Sequence, residues 1–198
     1  MQPAETCGHG AEGAGKAAVV FFGMIASGKS TLGQAWAQQH RAPYYNTDRV
    51  RKELAGLQPT ERRPEAADEG IYAAGFTERT YRTMLERAAA DFSRGAGMVV
   101  LDGSYSRRSD REAVRRMAEG CGARSVFVLC ACSEREVQRR LALRARDHDA
   151  VSDGRWEIYL RQQEVFERPD AEERDCLRID TEQEVTVLLA ALAGQLGR

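Results

Sequence analysis

Short apolar runs alternate along this chain with segments whose apolar residues return every three or four positions, the sequence form of strands joined by helices. The run Ala17-Ala-Val-Val-Phe-Phe22 has no polar alternation, which fits a strand covered on both faces rather than one edge of a solvated sheet. Residues 43–46, 98–101, 124–131 and 176–179 read as four more strands. Residues 76–94 place Tyr81, Met84, Leu85, Ala88 and Phe92 on one helical face. Ser109 with Glu112, Ser133 with Glu136, and Thr181 with Glu184 have the spacing of capping boxes and mark three helix starts. Ala113, Val114 and Met117 form the expected buried stripe of the first. Val185, Leu188, Leu189 and Leu192 form that of the last. Trp156, Tyr159, Leu160, Gln163 and Phe166 trace another helix after a polar break over residues 147–153. No internal repeat and no second core is visible. The pattern predicts one doubly wound α/β domain over residues 17–198 with a parallel sheet of about five strands, preceded by a loose Gly- and Ala-rich tail over residues 1–16.

Composition adds a few constraints. The 198 residues carry 29 Lys+Arg against 30 Asp+Glu, and only Lys16, Lys29 and Lys52 are lysines. A chain that so consistently uses arginine draws attention to the lysines it keeps. No segment reaches the ~20 apolar residues of a membrane span. Met1 to Lys16 lacks the basic and apolar regions of a signal peptide. The five cysteines are odd in number and without framework spacing. Cys130 and Cys132 lie in an apolar run, and Cys7 with His9 supplies two metal-ligand types on a tail that makes a poor site. Reduced thiols and a cytoplasmic location are expected.

Directly after the first strand stands Gly23-Met-Ile-Ala-Ser-Gly28-Lys29-Ser30-Thr31, a full match to G-x-x-x-x-G-K-[ST] between a strand and a helix. The chemistry requires that placement. Gly23 and Gly28 let the backbone curl so that N–H groups, including those of Ala26 and Ser27, converge on phosphate oxygens. The helix beginning near Lys29–Thr31 adds the positive end of its dipole. Lys29 would reach the β- and γ-phosphates of ATP, and the Ser30 hydroxyl would ligate Mg²⁺. Neither the N-K-x-D base-reading motif of GTPases nor the H-R-D signature of protein kinases is present.

Two carboxylates fall at the carboxyl ends of expected strands, where open parallel sheets bind ligands. Asp102 closes Met-Val-Val-Leu-Asp, the Walker-B situation of a strand-end carboxylate turned to Mg²⁺; the bland alternative is a turn residue before Gly103. Asp48 follows Tyr44-Tyr45-Asn46-Thr47 and precedes a helical run, so it is either a site residue or a helix N-cap. The pairing of residues 23–31 with Asn46-Thr-Asp48-Arg-Val-Arg51 resembles the small P-loop kinases: polynucleotide 5′-hydroxyl kinases, chloramphenicol phosphotransferase, zeta-type toxins and AAA_33-type ATP-binding domains. The resemblance extends over about residues 19–181 and implies a three-layer α/β/α P-loop kinase fold with a helical lid, using ATP and Mg²⁺. It implies Asp48 as general base for an acceptor hydroxyl and Arg51 as an acceptor contact. It also implies Arg140 and Arg144, four residues apart on the lid helix, as a catalytic pair over the γ-phosphate; the alternative for these two is a solvated basic face.

The expected activity is transfer of the γ-phosphate of ATP to a hydroxyl of a small molecule. A polynucleotide 5′-hydroxyl kinase is the nearest alternative, although a net charge of −1 gives no overall basic surface for nucleic acid, and Arg107, Arg108, Arg111 and Arg115 alternate with acids like a solvated face. A toxin acting on a sugar nucleotide would share the mechanism. A nucleotide-gated switch would need the phosphate loop and Asp102 but no base at Asp48. Tyr72, Arg79 and Tyr105 are candidate lining residues of an acceptor site, with packing or surface as the alternative. No acceptor-specific signature stands in residues 56–75 or 104–108, and nothing bears on oligomeric state.

Overall fold

The structure is a computed structural model that describes residues 15–58, 70–146 and 156–196. β1 (Ala17–Phe22) lies at the centre of the sheet, and all six of its residues are buried. The sheet has the order β2-β3-β1-β4-β5 and every neighbouring pair is parallel. β2 is Tyr44–Asn46, β3 Met98–Gly103, β4 Arg124–Ala131 and β5 Cys176–Asp180. Alternate β1 side chains go to opposite faces, as the pleat requires. Ala18, Val20 and Phe22 join Val99, Leu101 and Phe127 under α3 (Ala74–Ser93) and α4 (Arg108–Gly120). Val19 and Phe21 join Val100, Val128 and Cys130 under α1 (Lys29–His40) and α7 (Val185–Leu196), which contribute Leu32, Trp36, Leu188 and Leu192. Helices on both faces explain why these strands read as unbroken apolar runs. The three-layer α/β/α expectation stands.

Three further helices gather at the carboxyl edge. α2 is Thr47–Leu54, α5 is Glu134–Arg146 and α6 is Trp156–Val165. Val137 and Leu141 of α5 and Tyr159 of α6 pack on Ile25 and Ala26, so both helices sit against the glycine-rich loop. The register fixes the geography of that edge: Phe21 lies opposite Asp102 and Asn46 opposite Asp102, so β1 hands over to the loop beside the end of β3. No helix among the described residues is long and apolar enough to cross a membrane.

Several local expectations are corrected. Ser133 does cap α5, accepting from the Glu136 N–H at 3.3 Å. Ser109 does not cap α4, which already begins at Arg108; the Arg108 N–H is instead taken at 2.5 Å by the Glu167 carboxylate from a distant segment. Thr181 lies four residues ahead of α7 and its hydroxyl is engaged elsewhere. On α4 the fully buried positions are Arg111, Val114 and Ala118, with Ala113 and Met117 only half-buried, because an arginine rather than an alkyl group occupies the first inward position. On α6 Tyr159 is the buried residue, whereas Leu160 is 42% exposed. Residues 1–14, which include Cys7 and His9, and the break over residues 147–153 lie outside the described residues.

Candidate active site

The loop between β1 and α1 has backbone angles that only part of the amino-acid repertoire tolerates. Gly23 has φ 140°, and a Cβ there would come within 2.5 Å of the Cys130 carbonyl oxygen. Gly28 has φ 86°, and a Cβ there would come within 2.9 Å of Thr181 Oγ1. Glycine is required at both for conformation and for space. Ala26 also takes a left-handed φ of 59°, so the loop curls twice before the helix starts. Gly28 is the N-cap of α1 and offers no side-chain cap, and no acid stands in the first turn. The first N–H groups of α1 therefore face the loop without a side-chain acceptor, the arrangement that receives an anion. Lys29 reaches back across the loop, its Nζ donating to the Met24 carbonyl at 3.3 Å. Ser30 follows in the first turn, half-buried, and Thr31 is exposed.

Asp102 is fully buried at the end of β3. Its Oδ2 accepts from the Tyr44 hydroxyl at 2.5 Å and from Asn46 Nδ2 at 2.6 Å. Burial, and after it the charge of Asp102, push the Tyr44 hydroxyl far above its usual pKa, so it remains a donor. Asn46 Nδ2 also lies 3.4 Å from Ser30 Oγ, while its Oδ1 accepts from the Arg49 N–H at 3.1 Å and caps α2. One asparagine thus starts a helix, orients the strand-end carboxylate and approaches the loop serine. Asp102 Oδ1 is buried with no hydrogen-bond partner. A buried carboxylate oxygen left over, and a serine hydroxyl linked to the same carboxylate through Asn46, are donors that a divalent cation would complete together with phosphate and water oxygens, so Ser30 and Asp102 fit Mg²⁺. Gly103 allows the close passage of α2, since a Cβ there would meet Thr47 Cγ2 at 2.6 Å.

Because Asn46 caps α2, Asp48 does not; it lies in the first turn, partly exposed, and accepts from Arg51 Nη1 at 2.8 Å. Arg51 is almost wholly buried, so the two residues present one ion-paired unit rather than two independent contacts. On α5 the two arginines diverge. Arg140 Nε donates to Glu136 at 2.7 Å, Nη1 to the Ala26 carbonyl at 3.2 Å and to Thr181 Oγ1 at 3.1 Å, and Nη2 to the Thr181 carbonyl at 2.6 Å. Its guanidinium is thus engaged by the loop backbone and by Thr181. Arg144 is half-buried: burial, then the neighbouring Arg140, draw its guanidinium below its usual pKa, while the charges of Asp48 and Asp102 act the other way. Neither arginine belongs to a simple solvated face.

The arginine row on α4 is a solvated face only in part: Arg107 is exposed, whereas Arg108, Arg111 and Arg115 are engaged by carboxylates. Arg111 is fully buried in a two-pronged pair with Glu173, at 2.8 and 2.6 Å, and donates to the Tyr105 carbonyl. Arg115 binds Asp175, Glu173 and Glu112, and Arg108 binds Asp170 and Glu172. These side chains clamp the segment before β5 onto α4. Tyr105, with φ 40°, is buried against Tyr81, ring centroids 4.7 Å apart, and packs rather than lines an open surface. Arg79 is exposed, and the Tyr72 side chain lies outside the described residues.

The sequence had pointed to the loop, Asp48, Arg51 and Asp102. It had not pointed to Tyr44 or Asn46 as partners of Asp102, although their two-residue spacing on the strand beside β3 was a usable signal. Nor had it pointed to Gln162, whose side-chain oxygen accepts from the Ile25 N–H at 2.7 Å and ties α6 to the loop.

Sheet order, loop geometry and the buried strand-end carboxylate define a P-loop protein with the fold of the small kinases. The sequence model of the AAA_33 family, an AAA domain, matches residues 18–169, and the chain belongs to that family. Among solved structures the fold is shared with a sugar kinase from a Janibacter species, at 15% identity and TM-score 0.66 over 93% of this chain and 95% of that one. It is shared with a gluconokinase from Sinorhizobium meliloti, at 23% identity and TM-score 0.58 over 92% and 95%. An APS kinase from Mycobacterium tuberculosis, solved in complex with AMPPNP and APS, is similar at 18% identity and TM-score 0.62 over 93% and 98%. No curated protein sequence matches.

Proposed function

We propose that this protein transfers the γ-phosphoryl group of ATP to a hydroxyl of a small-molecule acceptor. The observation that carries the reading is that Asn46 donates to Asp102, approaches Ser30 Oγ at 3.4 Å and caps the helix whose first turn holds Asp48, so a metal-side and an acceptor-side carboxylate are tied to the phosphate loop through one residue. Loop N–H groups from Gly23 to Thr31 and Lys29 cradle the phosphates. Ser30 and Asp102 would hold Mg²⁺, which would supply positive charge to offset that of the phosphates. Asp48 accepts the proton of the acceptor hydroxyl as its oxygen forms a bond to the γ-phosphorus, the bond to the β-phosphate oxygen breaks, and ADP departs. Arg51 holds the Asp48 carboxylate and borders the acceptor; Arg144 meets the charge on the transferring group.

The small-molecule reading is favoured by the fate of the α4 arginines, since Arg108, Arg111 and Arg115 are bound to carboxylates of residues 170–175 and do not form a phosphate-backbone stripe. The sugar kinase, gluconokinase and APS kinase that share the fold point the same way. The test uses γ-labelled ATP against panels of sugars, aminoglycosides, nucleosides and oligonucleotides, comparing wild type with Asp48→Asn. Loss of the base should lower transfer to the true acceptor by about 10²–10⁴-fold with ATP affinity unchanged. Transfer within a few-fold of wild type would remove Asp48 from the mechanism. Failure to label any acceptor, with ATP turnover untouched in Asp48→Asn, would replace the kinase by a nucleotide-gated switch.

A further inference from the structure

We infer that Thr181, together with Arg140, is a positioning residue that sets the peptide orientation of the phosphate loop before nucleotide arrives. This rests on the nucleotide-binding reading of the loop and concerns a residue that belongs to neither the motif nor the carboxylate pair. Thr181 follows β5 and is nearly buried. Its hydroxyl donates to the Ser27 carbonyl at 2.6 Å and lies 3.2 Å from the Ala131 carbonyl, while its own N–H donates to Ala131 at 2.9 Å. Arg140 Nη1 donates to the Ala26 carbonyl, and both Arg140 Nη atoms donate to Thr181. Two successive loop carbonyls, of Ala26 and Ser27, are therefore drawn outward by side chains from two distant elements.

A trans peptide is planar, and its C=O and N–H point in opposite directions. Drawing the Ala26 carbonyl outward turns the Ser27 N–H inward, and drawing the Ser27 carbonyl outward turns the Gly28 N–H inward. The Ser27 N–H lies 3.3 Å from the Met24 carbonyl, the same oxygen that Lys29 Nζ reaches. These are the groups that a nucleotide phosphate would recruit. The left-handed φ values of 59° at Ala26 and 86° at Gly28 are otherwise disfavoured or glycine-specific, and the two outer hydrogen bonds hold them. The contact that makes Gly28 obligatory is with Thr181 itself, whose Oγ1 would lie 2.9 Å from a Cβ at that position. Arg140 is thereby a brace behind the α- and β-phosphates, distinct in role from Arg144.

The experiment titrates the purified full chain with Mg²⁺–ADP and with a non-hydrolysable ATP analogue, in wild type, Thr181→Val and Thr181→Ser, with Tm measured alongside. Thr181→Val should weaken both nucleotides by about tenfold and in equal proportion, the effect of one lost orienting hydrogen bond, and Thr181→Ser should restore affinity to within about threefold. Lower Tm with unchanged affinity would overturn the inference, because it would make Thr181 a merely structural contact. If Thr181→Val does not fold, Arg140→Met carries the same decision: equal losses for ADP and the analogue support a brace, whereas no loss, or loss for the analogue alone, overturns it. Wild type that binds neither nucleotide would reject the reading of the loop itself, which differs from wild type that binds while the variants bind equally well.

Discussion

Glu173→Gln is a sharp test of how the segment before β5 is held. Arg111 is wholly buried and the Glu173 side chain is 2% exposed, so the pair has left water almost completely. The carboxylate takes Arg111 Nε on Oε2 at 2.8 Å and Nη2 on Oε1 at 2.6 Å, and shares Oε2 with Arg115 Nη2 at 2.8 Å. The glutamine amide can keep one of these oxygens but must present an NH₂ group to a guanidinium, donor against donor. Removing one charge of a buried pair costs about 3–5 kcal/mol, because the other charge stays buried without compensation. At roughly 2–4 °C per kcal/mol for a chain of this size, Tm should fall by about 10 °C. Arg111 also lies over the Phe22 ring, 5.6 Å from its centroid, so it sits against the central core and cannot swing into solvent cheaply. Pairing the change with Arg111→Met should recover much of the loss, since the stranded charge is gone. The assay is thermal and urea unfolding of wild type, the single and the double variant. A single variant within 1 kcal/mol of wild type, or a double variant no better than the single, would refute the buried-pair account.

The same pair carries a pH dependence. Its hydrogen bonds with Arg111, and then with Arg115, hold Glu173 at about 2 against an ordinary 4.5, so this stabilisation is complete above about 4.5 and disappears as pH falls towards 2; the acid limb of Tm against pH should be flatter in Glu173→Gln than in wild type. Lys29→Ala should erase most of the ATP–Mg²⁺ stabilisation of wild type, about 2.7 kcal/mol at a hundredfold excess over Kd, and leave the melting of the ligand-free protein unchanged; an undiminished shift in thermal unfolding would reject the loop assignment. Arg144→Ala should lower kcat for acceptor phosphorylation by more than it weakens ADP binding, because its partner is the γ-phosphate; an equal loss in both, read by steady-state kinetics and titration, would place it with the brace instead.

Legibility in the sequence followed the range of the interactions. β1, the glycine-rich loop and the start of α1 were readable because the buried run, the two obligatory glycines and the helix lie within 24 consecutive residues. Ser133 was readable as a cap because its partner is three residues away. Thr181 had the same local spacing and a different fate, since its hydroxyl bonds Ser27, 154 residues earlier, and only the order of β1, β4 and β5 brings them together. Arg111 was indistinguishable from its solvated neighbours because its partner lies 62 residues on, in a stretch with no helical or strand period. Asp48 was ambiguous between cap and site residue; the structure removes the cap alternative, because the asparagine two positions earlier already serves.

The divergence of Arg140 and Arg144 changes what kind of lid α5 can be. Four residues apart on one face, they look equivalent in sequence and would be expected to close over the nucleotide together. Arg140, however, is bonded to Glu136, Ala26 and Thr181, and the residues around it, Val137 and Leu141, are packed on Ile25 and Ala26. Swinging the helix as a rigid body would break those bonds and expose that cluster at the moment the loop must be most ordered. Arg144 lies one turn further, beyond the packed residues Val137 and Leu141. Closure that keeps the first two turns of α5 fixed and moves only the turn that carries Arg144 satisfies both arginines. On the proposed mechanism, the fixed part would serve the phosphate loop and only the distal turn would act as a lid.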